Sequence, residues 1–315
     1  MSGLASLSAA HPGAQLAASV AVLIAALLTC AACSKRPRAP GTLLAGLVAM
    51  LASLLAPPQW PMPRFAVTLF GCLAMGRAMD LTWRPHTLSF RGRLWLLVTF
   101  LDVREPSRRE PTLEHEERRW LAVHLLLFVA SALALAGLAA RRGGSPDLRT
   151  LPAFELALRW VLGAVQVYSL PELLQAVLLA GYAKLGLRFP KINREPIFST
   201  TLAEFWGRRW NRAVAGWLRN YAYLPLARRG RPKLAVAAAF AASACLHFWV
   251  SFVPLGWLAG LTMASFFLVH GAALALERAL GVREWTPTQQ RLWSYAWFAL
   301  SLPLFVEPTL RVAGW

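Results

Sequence analysis

Charged residues in this chain are grouped, and the stretches between the groups are long and apolar. Gly13–Ser34 runs 22 residues without Asp, Glu, Lys or Arg, Ala39–Pro63 runs 25, Trp120–Ala140 runs 21 and Leu234–Leu276 runs 43. A helix rising about 1.5 Å per residue needs about 20 residues to cross about 30 Å of hydrocarbon. The first three runs each predict one membrane-spanning helix. The longest predicts two, with a turn at Pro254-Leu255-Gly256. Weaker apolar stretches near Phe65–Leu81, Leu151–Tyr182 and Leu292–Val306 bring the expectation to about eight spans. Pro171 leaves open a division of Leu151–Tyr182 into two shorter helices. The expected fold class is all-α, a polytopic transmembrane helix bundle forming one integral-membrane domain over residues 1–315.

Composition agrees. Hydrophobic residues make up 57% and charged residues 15%, against about 45–50% and about 25% in soluble domains. That excludes an ordinary soluble globular protein, and equally a disordered one. Net charge changes the picture more. The 33 Lys and Arg against 15 Asp and Glu give +18, which in a soluble protein would point to nucleic acid. Here the excess follows the loops. Lys35, Arg36 and Arg38 follow the first span, the second loop has only Arg64, and the third, Arg84–Arg119, is crowded with charge. The fourth loop, with Arg141, Arg142 and Arg149, runs against the alternation. Residues 183–233 carry 12 Lys and Arg against Glu195 and Glu204, and Arg278, Arg283 and Arg291 follow in the seventh loop. The positive-inside rule puts the odd loops in the cytoplasm and both termini outside. Ten of the 18 net charges thus fall in one 51-residue cytoplasmic segment, and no nucleic-acid partner is expected. The first span lacks the basic n-region of a signal peptide. The Ala and Arg bias has the look of a GC-rich bacterial genome, which would put the protein in the cytoplasmic (inner) membrane.

The basic segment is more than a connector. It runs Lys191-Ile192-Asn193-Arg194-Glu195-Pro196, and then Thr201 and Glu204 have capping-box spacing, so a helix should start near Leu202. On a continuous helix Trp206, Trp210, Ala213, Trp217 and Tyr221 share one stripe, while Asn211 and Glu204 share another face flanked by Arg208, Arg212 and Arg219. Such a helix lies in the membrane interface. An anchor accounts for the Trp and Arg residues but leaves Asn211 and Glu204 unused. The following span, 234–253, contains His247, with Ser243 and Ser251 at i−4 and i+4. An ionisable side chain at bilayer depth is costly and marks either a functional site or an interhelical hydrogen bond. Burial favours neutral imidazole, the form a general base needs. His270 is the second candidate, and His124, one turn into its span, a weaker one. Four scattered cysteines give no disulfide framework, and no Cys/His cluster has zinc spacing.

These residues carry a resemblance. Thr201-Leu202-Ala203-Glu204-Phe205-Trp206-Gly207-Arg208-Arg209-Trp210-Asn211, then Leu218-Arg219-Asn220-Tyr221-Ala222-Tyr223-Leu224-Pro225, then His247 in an apolar helix, resemble the membrane-bound O-acyltransferase superfamily in its wax synthase-like branch. The Arg77…Asp80…Arg84-Pro85 stretch is similar to an upstream part of that branch, while Phe248 stands where the branch often has an acidic residue. The resemblance implies transfer of a fatty acyl group from acyl-CoA to a hydrophobic alcohol among membrane lipids. It implies His247 as general base and Asn211 as the residue that orients a reactant or steadies developing charge. A thioester is already activated, so no metal, redox cofactor or ATP is expected. Arg208, Arg209, Trp210, Arg212 and Arg219 are the candidate acyl-CoA contacts, since cationic side chains suit its phosphates. Three alternatives stay open: a sugar, glycan or secondary-metabolite acceptor; a proton-coupled transporter using His247, His270, Glu155 and Glu172; and a non-catalytic scaffold.

Overall fold

The computed structural model describes residues 11–101, 107–108, 115–141 and 150–315. The N-terminal tail, residues 102–106 and 109–114 of the charged third loop, and residues 142–149 lie outside the described residues. The chain divides into two compact units, Met1–Glu105 with Leu246–Gly260, and Pro106–Cys245 with Leu261–Trp315.

In the first unit α1 (Pro12–Cys33), α2 (Pro40–Leu51) and α3 (Pro61–Trp83) all begin on proline. Proline loses nothing at a first helical position, where the amide has no intrahelical partner. Small residues bring α2 and α3 into close approach. A Cβ on Gly71 would meet the Ala49 carbonyl at 2.5 Å, and one on Gly46 would meet the Ala78 Cβ at 2.7 Å. Without water between helices, such packing supplies much of the cohesion. The short α4 (Phe90–Val98) starts on Ser89, whose hydroxyl accepts from the Gly92 amide, and its buried Arg93 donates to the Ala31 and Leu88 carbonyls. The Arg93 guanidinium thereby sits on the carbonyl end of α1, where positive charge is favoured.

The second unit holds α5 (His115–Ala140), α6 (Ala153–Lys184), the irregular segment after it, most of α8 (Pro232–Leu255) and α9 (Trp257–Ala279), and α10 (Pro287–Val312). A two-residue antiparallel pairing, Ser107–Arg108 with Leu187–Arg188, is the one sheet among the described residues. At Gly163, where a Cβ would run into Val306 and Leu310, α6 meets α10. A capping box between Thr286 and Gln289 starts α10.

Six described helices are long and apolar enough to cross a membrane. The predicted second span is shorter than expected: α2 passes into a tight 3-10 turn at Ala52–Leu55, and Pro40–Leu55 is classed with the shorter apolar helices. Sixteen residues rise about 24 Å, short of the hydrocarbon thickness. Pro171 does not divide α6, which runs unbroken for 32 residues. The expected turn at Pro254-Leu255-Gly256 is present, with Gly256 at φ +88 ending α8.

Candidate active site

The predicted helix start is in place. Thr201 Oγ1 accepts from the Glu204 amide at 3.1 Å, and the turn Leu202–Glu204 follows. Glu204 closes the cap differently from the sequence expectation, with Oε2 accepting from the Thr200 amide at 2.8 Å and the Thr200 hydroxyl at 3.0 Å. A distant residue completes it. The buried Glu277 of α9 accepts from the Leu202 and Ala203 amides at 2.8 and 3.2 Å, so these two orphan donors of the helix start are both met. Nothing in the local sequence announces this, because the two groups are about 75 residues apart.

The helix does not then continue, and the single aromatic stripe from Trp206 to Tyr221 does not form. Phe205–Arg209 widens into a π-helical turn, closed by Trp210 N–H donating to the Phe205 carbonyl at 2.9 Å. Trp210 is extended, and Asn211 takes the left-handed conformation at φ +37, ψ +58. Asn tolerates this region better than most residues because its short amide bonds locally. Here the Asn211 Oδ1 accepts from the Val214 amide at 3.3 Å and caps α7 (Arg212–Leu218), and a second π turn follows at Arg219–Tyr223. π turns and left-handed non-glycine residues are enriched at functional sites.

Three hydrogen bonds fasten Asn211 to the bundle. Its amide donates to Asn193 Oδ1 at 2.8 Å, the Asn193 amide donates to Gln175 Oε1 at 2.6 Å, and Gln175 Nε2 donates to Glu172 Oε2 at 3.2 Å. Asn193, Gln175 and Glu172 are all buried. The first was visible in sequence only as part of the basic run, and Glu172 only as a carboxylate inside a span.

The cationic residues separate into two kinds. Arg208 and Arg219 are exposed. Arg209 pairs with Glu204 at 2.7 Å and donates to the Arg194 and Glu195 carbonyls, while Arg212 donates to the Lys191 carbonyl at 2.9 Å. Burial alone pushes the Glu204 carboxyl up, but hydrogen bonds from Thr200 and Arg209 together hold it below the ordinary carboxylate value. Burial, with Arg194 nearby, holds the Arg212 guanidinium below its usual range. Trp210 stacks on Phe205, with ring centroids 5.6 Å apart.

Among the histidines, His270 is fully buried and committed. Trp206 Nε1–H donates to its Nδ1 at 3.1 Å, and its Nε2 lies 2.8 Å from Ser301 Oγ. The Ser301 hydroxyl donates to the Trp297 carbonyl, so Nε2 carries the imidazole proton and both ring nitrogens are engaged. His270 therefore reads as a pillar under Trp206. His247 lies half-buried on α8 in the other compact unit, with the buried Ser251 one turn on.

Six apolar helices of spanning length define the class, an integral multi-pass membrane protein built from α-helices. Residues 189–269, which carry Asn211 and His247, match the model of the membrane bound O-acyl transferase family. A probable long-chain-alcohol O-fatty-acyltransferase of Arabidopsis thaliana is 33% identical over 150 residues, covering 41% of this chain and 42% of the relative. The long-chain-alcohol O-fatty-acyltransferase of Simmondsia chinensis is 30% identical over 203 residues, covering 58% and 53%. A probable alginate O-acetylase of Pseudomonas fluorescens is 27% identical over 139 residues, covering 41% of this chain and 26% of that protein. Over these stretches the chain is similar to membrane-bound O-acyltransferases, long-chain-alcohol O-fatty-acyltransferases among them. It spans about half, or less, of the length of these relatives.

Proposed function

We propose that this protein transfers a fatty acyl group from acyl-CoA to the hydroxyl of a hydrophobic alcohol, in the cytoplasmic membrane of a bacterium. The observation that carries the reading is Asn211, held left-handed between two π turns inside the family-matched stretch. The names of the plant relatives support the substrate class.

An alcohol is a weak nucleophile until its proton leaves, and a neutral imidazole within hydrogen-bond reach can take it. His247 is the proposed base. Attack of the alcohol oxygen on the thioester carbon builds negative charge on the carbonyl oxygen. Collapse then breaks the carbon–sulfur bond, and CoA leaves with the proton His247 collected. The Asn211 amide is proposed to orient a reactant or steady the developing charge. Its Oδ1 is occupied by the Val214 amide, which leaves the NH2 group as the donor. Arg208 and Arg219, exposed on the basic segment, suit the CoA phosphates best; Trp210, Arg209 and Arg212 contribute more by holding the segment's shape. The thioester supplies the activation, so the mechanism uses no metal or redox cofactor.

Transfer to a sugar or glycan hydroxyl is a second reading, favoured by the alginate O-acetylase relative. Both are tested by profiling cells that express the chain and are fed labelled fatty acid with a long-chain alcohol. Wax ester is the expected product. It disappears in His247→Ala, which should still be inserted in the membrane, with a fall of about 10²–10⁴-fold expected from losing a general base. Full ester formation by that variant removes His247 from the role, and labelled glycan ester in place of wax ester selects the second reading.

A further inference from the structure

The turn that opens the motif, Leu202–Glu204, is three residues long. A turn that short does not hold itself, because fixing its backbone costs more entropy than one hydrogen bond returns. Its hold comes from α9. His270, Ala273, Leu274 and Glu277 are spaced i, i+3, i+4 and i+7, so they form one stripe of that helix. Every member of the stripe meets the motif. The two oxygens of Glu277 accept from the Leu202 and Ala203 amides at 2.8 and 3.2 Å. Ala273 and Leu274 share a buried cluster with Leu202, and Ala203 and Trp206 pack against it. His270 Nδ1 accepts from Trp206 Nε1 at 3.1 Å. Glu277 and Leu202 are 1% and 0% exposed, so water does not compete for the amide bonds.

The hold is passed on toward Asn211. Glu204, on the same turn, pairs with Arg209 Nε at 2.7 Å. The Arg209 carbonyl accepts from the Arg194 amide at 2.8 Å, and its guanidinium donates to the Arg194 and Glu195 carbonyls. Arg209 stands two residues before Asn211. Asn211 thus has two supports. Gln175 of α6 acts through Asn193 and fixes the Asn211 backbone nitrogen. Glu277 of α9 fixes where the π turn begins, and hence the direction in which the turn delivers the Asn211 side chain.

We infer that Glu277 is a positioning residue of the acyl-transfer site, holding the start of the π turn and through it the Asn211 NH2 group. This rests on the reaction proposed above and deepens it. Both Glu277 oxygens are engaged by backbone amides, so it handles no proton and touches no reactant. Its loss should therefore appear in turnover more than in binding. An exposed Arg side chain follows a phosphate over a small shift of the turn. An amide that steadies charge in the transition state does not, and a misplacement of about 1 Å there can cost about 10²-fold.

The test compares Glu277→Gln, Glu277→Ala and Glu307→Gln as full chains, assayed with palmitoyl-CoA and hexadecanol. Glu277→Gln keeps one oxygen for an amide but turns an NH2 donor toward the other, while Glu277→Ala removes both acceptors. Expected kcat falls are about tenfold and about a hundredfold, with KM for acyl-CoA within about threefold of wild type. Glu307→Gln breaks the ion pair with Arg159. It should lower thermal stability yet keep kcat per folded molecule within about twofold, since it shares no partner with Glu277. Hydrogen exchange in peptides covering 200–206 and 208–216 should speed up in both Glu277 variants and not in Glu307→Gln. Wild-type kcat in both Glu277 variants overturns the proposal, and so does a rise in KM without a fall in kcat. Equal loss of turnover in Glu307→Gln also overturns it, because instability alone then accounts for the effect. If Glu277→Ala does not fold, Glu277→Gln decides. If the wild-type chain forms no ester, the proposed reaction fails and exchange at 208–216 decides the positioning alone: faster exchange in Glu277→Gln supports it, and unchanged exchange sinks it.

Discussion

Two buried polar clusters occupy the second unit, both anchored on α6, and their carboxylates are held in different ways. At one, Arg159 donates from Nε and Nη2 to the two oxygens of Glu307 at 3.1 and 3.2 Å, and from Nη2 also to the Trp315 carbonyl at 3.0 Å. Trp160 Nε1 and Arg311 Nε complete the carboxylate at 3.3 and 3.0 Å. At the other, the Glu172 carboxyl is met by neutral groups, the Gln175 amide at 3.2 Å and the Trp120 and Asn193 side chains. A buried ion pair that is fully hydrogen-bonded ties helices together. A buried carboxylate met by neutral donors contributes hydrogen bonds but no ion pair.

The largest effect expected from this contrast is at Glu307. Glu307→Gln leaves the Arg159 guanidinium buried without its counter-charge, and stability should fall by about 3–5 kcal/mol. Thermal unfolding in detergent measures this, and Arg159→Met with Glu307→Leu should recover most of the loss. A double variant as unstable as the single one would show that the pair is not what joins α6 to α10. Next comes Asn193→Ala, which strands the Asn211 amide at a local cost of about 1–3 kcal/mol. Hydrogen exchange in a peptide covering 208–216 should speed up, while α10 stays protected. Glu172→Gln should be milder, within about 1 kcal/mol of wild type, since little in the protein depends on that charge. A fall as large as that of Glu307→Gln would erase the distinction between the clusters.

The smallest effect is a pH response at the Asn211 segment. The Glu204 carboxyl is held below its ordinary value of 4.5. Its contribution to the turn is therefore fully present above pH 4.5 and is lost as pH falls through the lower folded value. Amide exchange at Thr200 and Glu204 should be steady from pH 7 to about 4.5, after correction for intrinsic rates, and accelerate below. A flat profile down to pH 3 would mean that the Thr200 and Arg209 contacts are not holding the carboxylate.

Local signals read well where local forces decide. Thr201 and Glu204 announce the helix start, and Gly256 after Pro254 announces a turn. The same reasoning failed where tertiary contacts outweigh local preference. Periodicity extends one amphipathic helix through Trp210 and Asn211, but the segment breaks there, because Asn193 takes the Asn211 amide and the Ile192 carbonyl takes that of Arg212. Pro171 reads as a division, yet α6 continues through it.

The sequence by itself determined the class of this protein. Twenty-residue apolar runs have one outlet in a membrane, the backbone-satisfied helix, and the Phe205–Asn211 motif with His247 carries the similarity to membrane-bound O-acyltransferases. Which buried groups meet was decided only in three dimensions. Arg159 finds Glu307 across 148 positions and Leu202 finds Glu277 across 75. His124 comes to face Glu172 from a neighbouring helix. Such pairings depend on the rotation and depth of packed helices, and a one-dimensional pattern carries neither.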